Sequence, residues 1–536
     1  MTRLFFGTRA LVWFILRRDR VRLFAWVLGV AGFTVACVPL LTNMFATPEE
    51  LQSMGEIMKN PAMIAMVGPV FGADNYTAGA MYANYMLVLM TMLAGAMNIF
   101  LVTRHTRHDE ELGRLEMVQS LPVGRLSNLA ATMLVAVKTN VLLTLLVGFG
   151  MAAFRVESMG LADSLLFGGA MGSAGLVFAS ATAVFCQLCS NNRTASGLSL
   201  AFLLGAYMLR AAGDVGTEAL SFISPLGLAS RTQVYVENYL WPIWILLGAF
   251  AAFTVTALVL ARVRDLGQGI VPARPGAHHG GRMFSNPLGL ALRLCRGTLL
   301  AWSAVVVLFG VMYGSVINEV GSFIEGSEML QAMFTAGGGD GQSLTDQFVG
   351  LLMVIMAVVA AVPVISLMLR VQSEEKQGYI EQIYATAVSR TKLFGTYLGV
   401  ALIGGVVFQF LAILAFWGAA SITLDPAPRF WDYFQAAMNY LPAIWVLLGL
   451  TAALVGFVPS KAAIGYGYLG FSFFTVYMGT LANLPDWVMG LSPFYHIPRL
   501  PEEAQTWTPL VVLTGIFALL TVVGLIGYRR RDIKSG

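Results

Sequence analysis

Twelve apolar stretches dominate the chain, at about residues 23–41, 80–103, 128–153, 162–188, 194–213, 240–261, 299–318, 347–369, 393–420, 437–458, 462–483 and 508–527. Each approaches the roughly 20 residues that a helix rising 1.5 Å per residue needs to cross about 30 Å of hydrocarbon. No water reaches backbone N–H and C=O groups at that depth, so segments of this length are confined to helices, which satisfy those groups internally. The sequence therefore predicts an all-α, polytopic membrane protein with 12 transmembrane helices. The balance of 57% apolar against 12% charged residues, far from that of a soluble chain, agrees. An even number of spans returns both ends to one side. The Lys and Arg residues cluster at 3–22, 104–125, 262–296 and 529–534, all on that side, which the positive-inside bias places in the cytoplasm. The opposite loops are acidic: residues 319–346 hold Glu319, Glu325, Glu328, Asp340 and Asp346 and neither Lys nor Arg.

Short segments between the spans carry their own signals. Residues 10–16 are apolar but too short to span, and arginines flank them on both sides, so a basic amphipathic helix in the inner interface is expected rather than a signal peptide. Thr47-Pro48-Glu49-Glu50 combines an N-cap, a proline at the first helical position and a capping-box glutamate, and Asn60-Pro61 repeats the start signal. Two short helices should follow the first span. The four cysteines offer no spaced framework, and Cys186-x-x-Cys189 lacks the second pair that a zinc site needs. His105 and His108 have Arg370 and Ser373 at the equivalent later positions, which favours solvated polar residues over a metal site. No metal ligands are assigned.

A polar stretch occurs twice. Residues 107–125 return 265 positions later as 372–390, placing Glu375 on Glu110, Gly378 on Gly113, Glu381 on Glu116 and Arg390 on Arg125. Other matches extend the duplication: Trp26 with Trp302, Arg193 with Lys461, and Arg264-Asp265 with Arg531-Asp532. The chain thus divides into two tandem six-helix halves in one orientation, residues 1–264 and 288–536, joined by a Gly-, Pro- and Arg-rich cytoplasmic linker at 265–287. Each polar copy joins the second span of its half to the third, carries an apolar stripe, and presents glutamates to the cytosol. Both copies are read as surfaces that receive force from a cytoplasmic partner, with a merely solvated loop as the bland alternative. A phosphate-cradling P-loop requires Gly-Lys, which the chain lacks, so the polypeptide is not itself an ATPase or other enzyme. Lys138 is the one ionisable residue placed well inside a span. It is either a functional group or a side chain that snorkels to the interface.

These residues resemble a known family. Glu-Glu-x-Gly-x-x-Glu at 110–116 followed by Pro-Val-x-Arg at 122–125, with Arg-x-Arg-Asp after the last span of each half, looks like the type 2 ABC exporter permeases. The fused twelve-helix arrangement and Arg-rich start are most similar to the actinobacterial group associated with export of polyketide antibiotics and multidrug efflux. The second copy departs in having Ala387 where Pro122 stands, so the halves need not couple equally. The resemblance implies a permease in a bacterial inner (plasma) membrane, with ATP and Mg held by a separate ABC ATPase subunit, a homodimer per permease chain. It implies coupling through Glu110, Glu111, Gly113, Glu116 and Arg125 in the first half and Glu374, Glu375, Gly378, Glu381 and Arg390 in the second. It also implies a substrate cavity between second and fifth spans, for which Met86, Met90, Phe202, Tyr207, Met353, Met356, Phe471, Phe474 and Tyr477 are candidate contacts. Flexible thioethers and aromatic faces suit varied amphipathic compounds, though they suit helix packing equally. Membrane lipids are expected partners, nucleic acid is not, and no cofactor is assigned to this chain. Two other classes stay open: a secondary carrier of the major facilitator kind, and a non-transporting membrane subunit that signals to an ATPase or kinase.

Overall fold

The computed structural model describes residues 4–45, 47–271, 281, 286–317, 344–376, 378–386, 388–424, 428–478, 484–498, 500 and 505–531. The chain forms two compact units, Met1–Gly276 and Ala277–Gly536. Among the described residues the regular structure is helical throughout, and eleven helices are long and apolar enough to cross a membrane. The expected eleventh span, 462–483, is a 15-residue helix, Ile464–Met478, and its last five residues lie outside the described set, as does most of the acidic loop 319–346.

The first unit opens with α1 (Thr8–Arg18), which starts at Gly7 in the left-handed region (φ 85°) and buries Leu11, Val12 and Ile15 while exposing Trp13 and Phe14. A single residue, Asp19, separates it from the first span, α2 (Arg20–Met44). Helices α3 (Pro48–Met58) and α4 (Pro61–Val67) stand where the two start signals place them. The Thr47 hydroxyl accepts from the Glu50 N–H, and the Glu50 carboxylate accepts from the Thr47 N–H, which completes the capping box. The second span, α5 (Ala78–Thr103), leads through short helices α6 (Asp109–Glu111) and α7 (Arg114–Gln119) to α8 (Ser127–Ala152), α9 (Leu161–Leu188) and α10 (Asn192–Val215). Two short outer turns, α11 (Glu218–Ile223) and α12 (Pro225–Ser230), precede α13 (Trp241–Val263).

Small residues decide which helix sits in the middle. Helix α9 is 83% buried over its apolar window, against 11% for α13. Its glycines permit this: a Cβ on Gly168 would lie 2.7 Å from the Thr144 carbonyl oxygen, so backbones approach as only glycine allows. Where α5, α8 and α9 meet, Asn98 and Asn140 exchange side-chain hydrogen bonds of 3.1 and 2.8 Å, and each donates to the carbonyl four residues earlier. The pair satisfies two buried amides that hydrocarbon would leave unpaired.

The second unit contains α14 (Pro287–Val316), α15 (Leu344–Lys376), α16 (Tyr379–Tyr384), α17 (Arg390–Thr423), α18 (Phe430–Met438), α19 (Leu441–Phe457), α20 (Ile464–Met478), α21 (Asp486–Met489) and α22 (Thr508–Arg530). Close glycine contacts recur, Gly310 and Gly314 of α14 against α17 and Gly456 of α19 against Gly524 of α22. Helix α14 begins about two and a half turns before the basic stretch ends at Arg296, because Asn286 caps Leu288 and Pro287 occupies the first helical position, so Arg293 and Arg296 fall inside the helix.

Candidate coupling site

The connector after α5 leaves the span by a π-helical turn, Arg104–His108, followed by α6. Gly113 then takes φ 68°, ψ 2°, and α7 runs back with Leu115 buried beneath it. A Cβ on Gly113 would touch nothing, so it is the left-handed backbone, not space, that asks for glycine. In the second unit Gly378 takes φ 73°, ψ 2°, and Ile380 is the buried anchor of α16.

Glu110 is the fixed point of the first connector. Its carboxylate receives two bonds from the Arg264 guanidinium (2.9 and 2.8 Å), one from the Gly267 N–H (2.7 Å), and lies 3.1 Å from Arg107 Nη1. Arg107, 1% exposed, also donates from its two terminal nitrogens to the carbonyls of Ser190, Gly267 and Gln268. Arg125 donates to the Arg264 carbonyl. The start of the linker is drawn into this cluster: the N–H groups of Ile270 and Val271 bond to the Gln187 and Leu188 carbonyls (3.1 and 3.0 Å), satisfying the open end of α9. Gly269 passes so near Cys189 that a Cβ would sit 2.5 Å from its carbonyl carbon. The linker is thus docked through Val271, and residues 272–280 and 282–285 lie outside the described set.

The second connector repeats the arrangement with fewer bonds. Glu375 pairs with Arg531 at 2.5 Å, and Arg390 donates to the Arg531 carbonyl at 2.8 Å. At the place of Arg107 stands Gln372, which donates to the Pro459 carbonyl. Glu375 Oε1 has no hydrogen-bond partner among the described residues. A Tyr384–Tyr528 hydroxyl contact of 2.9 Å closes the cluster, and burial raises the Tyr384 phenol above its ordinary range against the opposing effect of that bond. Glu374 pairs with Arg370 one turn before it (2.6 Å).

Around the first clasp lies a second set of charges. Asp109 binds Arg18 and Arg114, Asp19 binds Arg104 at 2.7 Å and His105 at 3.1 Å, and Glu111 accepts from the Asn192 N–H at the start of α10. His105 is 1% exposed, so the expectation of a solvated histidine fails there: the α1–α2 turn covers it and Asp19 supplies its partner. His108 is half-buried. By contrast Glu116 and Glu381 are exposed and make no ion pair or side-chain hydrogen bond among the described residues. Tethering falls to Glu110 and Glu375, while Glu116 and Glu381 face outward.

The candidate cavity residues have different surroundings within their own units. Met90, Met353 and Met356 are buried in the cores of their units, and Met86 is half-buried. Phe202 packs edge-on between Phe178 and Phe185. Tyr207 donates to the Met66 carbonyl at 2.9 Å with its ring under Arg210. Phe471 stacks on Tyr468, Phe474 is exposed, and the Tyr477 side chain is outside the described set. Lys138 is exposed on α8. A buried pair went unforeseen: Arg210 and Asp214, both fully buried on α10 and 3.2 Å apart, bind the Ala65 and Met66 carbonyls, Ser221 and Arg231. Their i, i+4 spacing was the available signal.

A family model described as multidrug efflux system permease Rv1217c, C-terminal domain, matches residues 10–262 and 284–529. The multidrug efflux system permease protein Rv1217c of Mycobacterium tuberculosis (strain ATCC 25618 / H37Rv) is 35% identical over 540 residues, covering 99% of this chain and 96% of that protein. Length, apolar helices and similarity over nearly the whole chain agree: this multi-pass membrane protein belongs to the Rv1217c family of multidrug efflux system permeases.

Proposed function

We propose that the chain is the membrane subunit of an ATP-driven type 2 ABC exporter, of the actinobacterial antibiotic and multidrug group, which extrudes amphipathic compounds of antibiotic, drug or lipid-like kind. In this reading ATP and Mg reside on a separate ABC ATPase homodimer, the chain has twelve spans in two tandem six-helix halves in the bacterial inner membrane, and its ends face the cytoplasm. The observation that carries the reading is the repeated clasp. In each unit a buried connector glutamate, Glu110 or Glu375, holds the arginine that follows the last span, Arg264 or Arg531, and a second arginine, Arg125 or Arg390, ties that same residue's carbonyl to the start of the next span. The match of one family model to both 10–262 and 284–529 supports the tandem reading.

The arrangement suits transmission of force. Glu116 and Glu381 face outward on helices of only six residues, each anchored by one buried aliphatic side chain and set off by a left-handed glycine. An ATPase that engages these helices displaces a lever whose inner end is ion-paired to the last span, so closure reaches α13 and α22 as well as α5 and α15. Binding energy applied to one state of such a lever shifts the population of the two states of the membrane domain. Purification of the chain from its native membrane, together with any ATPase that accompanies it, tests the reading. A complex that hydrolyses ATP, with a permease that alone does not, is expected; a permease that purifies with no ATPase and transports without one overturns it.

A further inference from the structure

At the basic end of the spans in the first unit, a cleft of about 370 Å³ opens between the first turns of α2, the last turns of α5 and the start of α10. Its two ends differ in chemistry. At the mouth lie Arg22, Arg104, His105 and His108 with one carboxylate, Asp19, which is 6% exposed and already engaged by Arg104 and His105. Arg22 and His108 make no ion pair or side-chain hydrogen bond among the described residues, so the mouth has an uncommitted guanidinium and imidazole. Deeper, Trp26 and Phe100 stack at 6.2 Å with 25° between their planes. Trp26 is seven residues beyond Asp19 on a helix pointing into the apolar layer, a descent of about 10 Å.

We propose that this cleft binds an anionic phospholipid of the surrounding bilayer, with the phosphate on Arg22 and the upper acyl chain against Trp26 and Phe100. The cationic mouth sits at headgroup level and the aromatic floor at acyl level, the vertical order of a lipid and the reverse of what a free anion requires. A guanidinium without a carboxylate partner offers the planar donor fork that fits phosphate oxygens. The cleft volume lies within the range of ligand sites and takes a headgroup with the first carbons of a chain, while the remainder lies along the exposed face of Phe100. The second copy lacks the site. Where the first has Asp19, Arg22 and His108, the equivalent positions hold Cys295, Thr298 and Ser373, although Trp302 keeps the aromatic. The bound lipid therefore belongs to one half only, beside the more heavily bonded of the two connectors.

Native mass spectrometry of the full-length chain in detergent, titrated with dioleoylphosphatidylglycerol, dioleoylphosphatidylcholine and inorganic phosphate, tests this. The expected result is one phosphatidylglycerol bound about 10-fold more tightly than phosphatidylcholine, whose choline ammonium would face the arginines of the mouth, with no retained phosphate. Arg22→Ala should remove that preference, His108→Gln should reduce it, and Arg9→Ala, which deletes an exposed arginine elsewhere on α1, should leave it intact. Arg22 is exposed and unpaired, so its loss does not threaten folding. Equal affinity for the two lipids, equal effects of Arg22→Ala and Arg9→Ala, or inorganic phosphate that displaces the lipid would each overturn the proposal.

Discussion

Replacing Glu110 by Gln and, separately, Glu375 by Gln measures how unequally the two connectors are held. Glu110 is 5% exposed and receives bonds from Arg264, Arg107 and the Gly267 N–H. Neutralising it strands two guanidiniums, 1% and 8% exposed, in one buried cluster. Removing one partner from a buried ion pair costs about 3–5 kcal/mol, and because Gln keeps the shape and one acceptor oxygen we expect about 3. Glu375 loses a single charged bond to Arg531, which is 16% exposed, and its other oxygen has no partner among the described residues. A charge-assisted bond of this kind is worth roughly 1.5–3 kcal/mol when fully buried, and partial exposure brings it to about 1. With 2–4 °C per kcal/mol for a domain near this size, Glu110→Gln should lower the melting temperature by about 6–12 °C and Glu375→Gln by about 2–4 °C. Tryptophan fluorescence during heating of the detergent-purified chain reads both. The charge-reversed pair Glu110→Arg with Arg264→Glu should be less destabilised than Glu110→Arg alone. Equal shifts, or a larger one at Glu375, would refute the bond-by-bond reasoning.

Three further outcomes follow from the same geometry. Glu116→Ala and Glu381→Ala remove exposed, unpaired side chains, so stability should change by about 0.5 kcal/mol or less while export by the reconstituted complex falls; unchanged export in the double variant would make the pair a solvated face. Cysteine placed at Glu157, in the exposed α8–α9 loop, should be labelled by an impermeant maleimide on intact cells, and cysteine at Glu111 only after permeabilisation. Asn98→Leu should cost about 1–3 kcal/mol by leaving the buried Asn140 side-chain oxygen without its donor, and the double change Asn98→Leu with Asn140→Leu should be milder than the sum; strict additivity would deny the reciprocal pair.

Local signals in the sequence were read correctly because they are satisfied locally. The capping box at Thr47, the Asn60-Pro61 start and the amphipathic run before Asp19 each need only a few neighbouring residues, and each yields the helix it predicts. Long apolar stretches give the eleven candidate spans among the described residues for the same reason. What remained hidden depends on partners far along the chain. Glu110 and Glu116 are equivalent by pattern, and only the arrival of Arg264, 154 residues later, makes one a buried anchor and leaves the other exposed. His105 looked solvated because Asp19 is distant in sequence. Arg210 was passed over because hydropathy ends its span within a few residues, whereas the α4 carbonyls that accept its hydrogens carry it into the interior. The methionines offered as cavity contacts are apolar residues whose side of the helix is chosen by tertiary packing, which the sequence pattern does not encode.

In the proposed function, ATP hydrolysis on a partner drives export through the two connectors. Transport of an amphipathic fluorescent compound into inside-out proteoliposomes containing the permease and its ATPase tests it most directly. Accumulation should require ATP and Mg, persist when a protonophore collapses the proton gradient, and fail in the Glu116→Ala, Glu381→Ala double variant. Accumulation that needs no ATP and vanishes with the protonophore would contradict it and make the chain a secondary carrier.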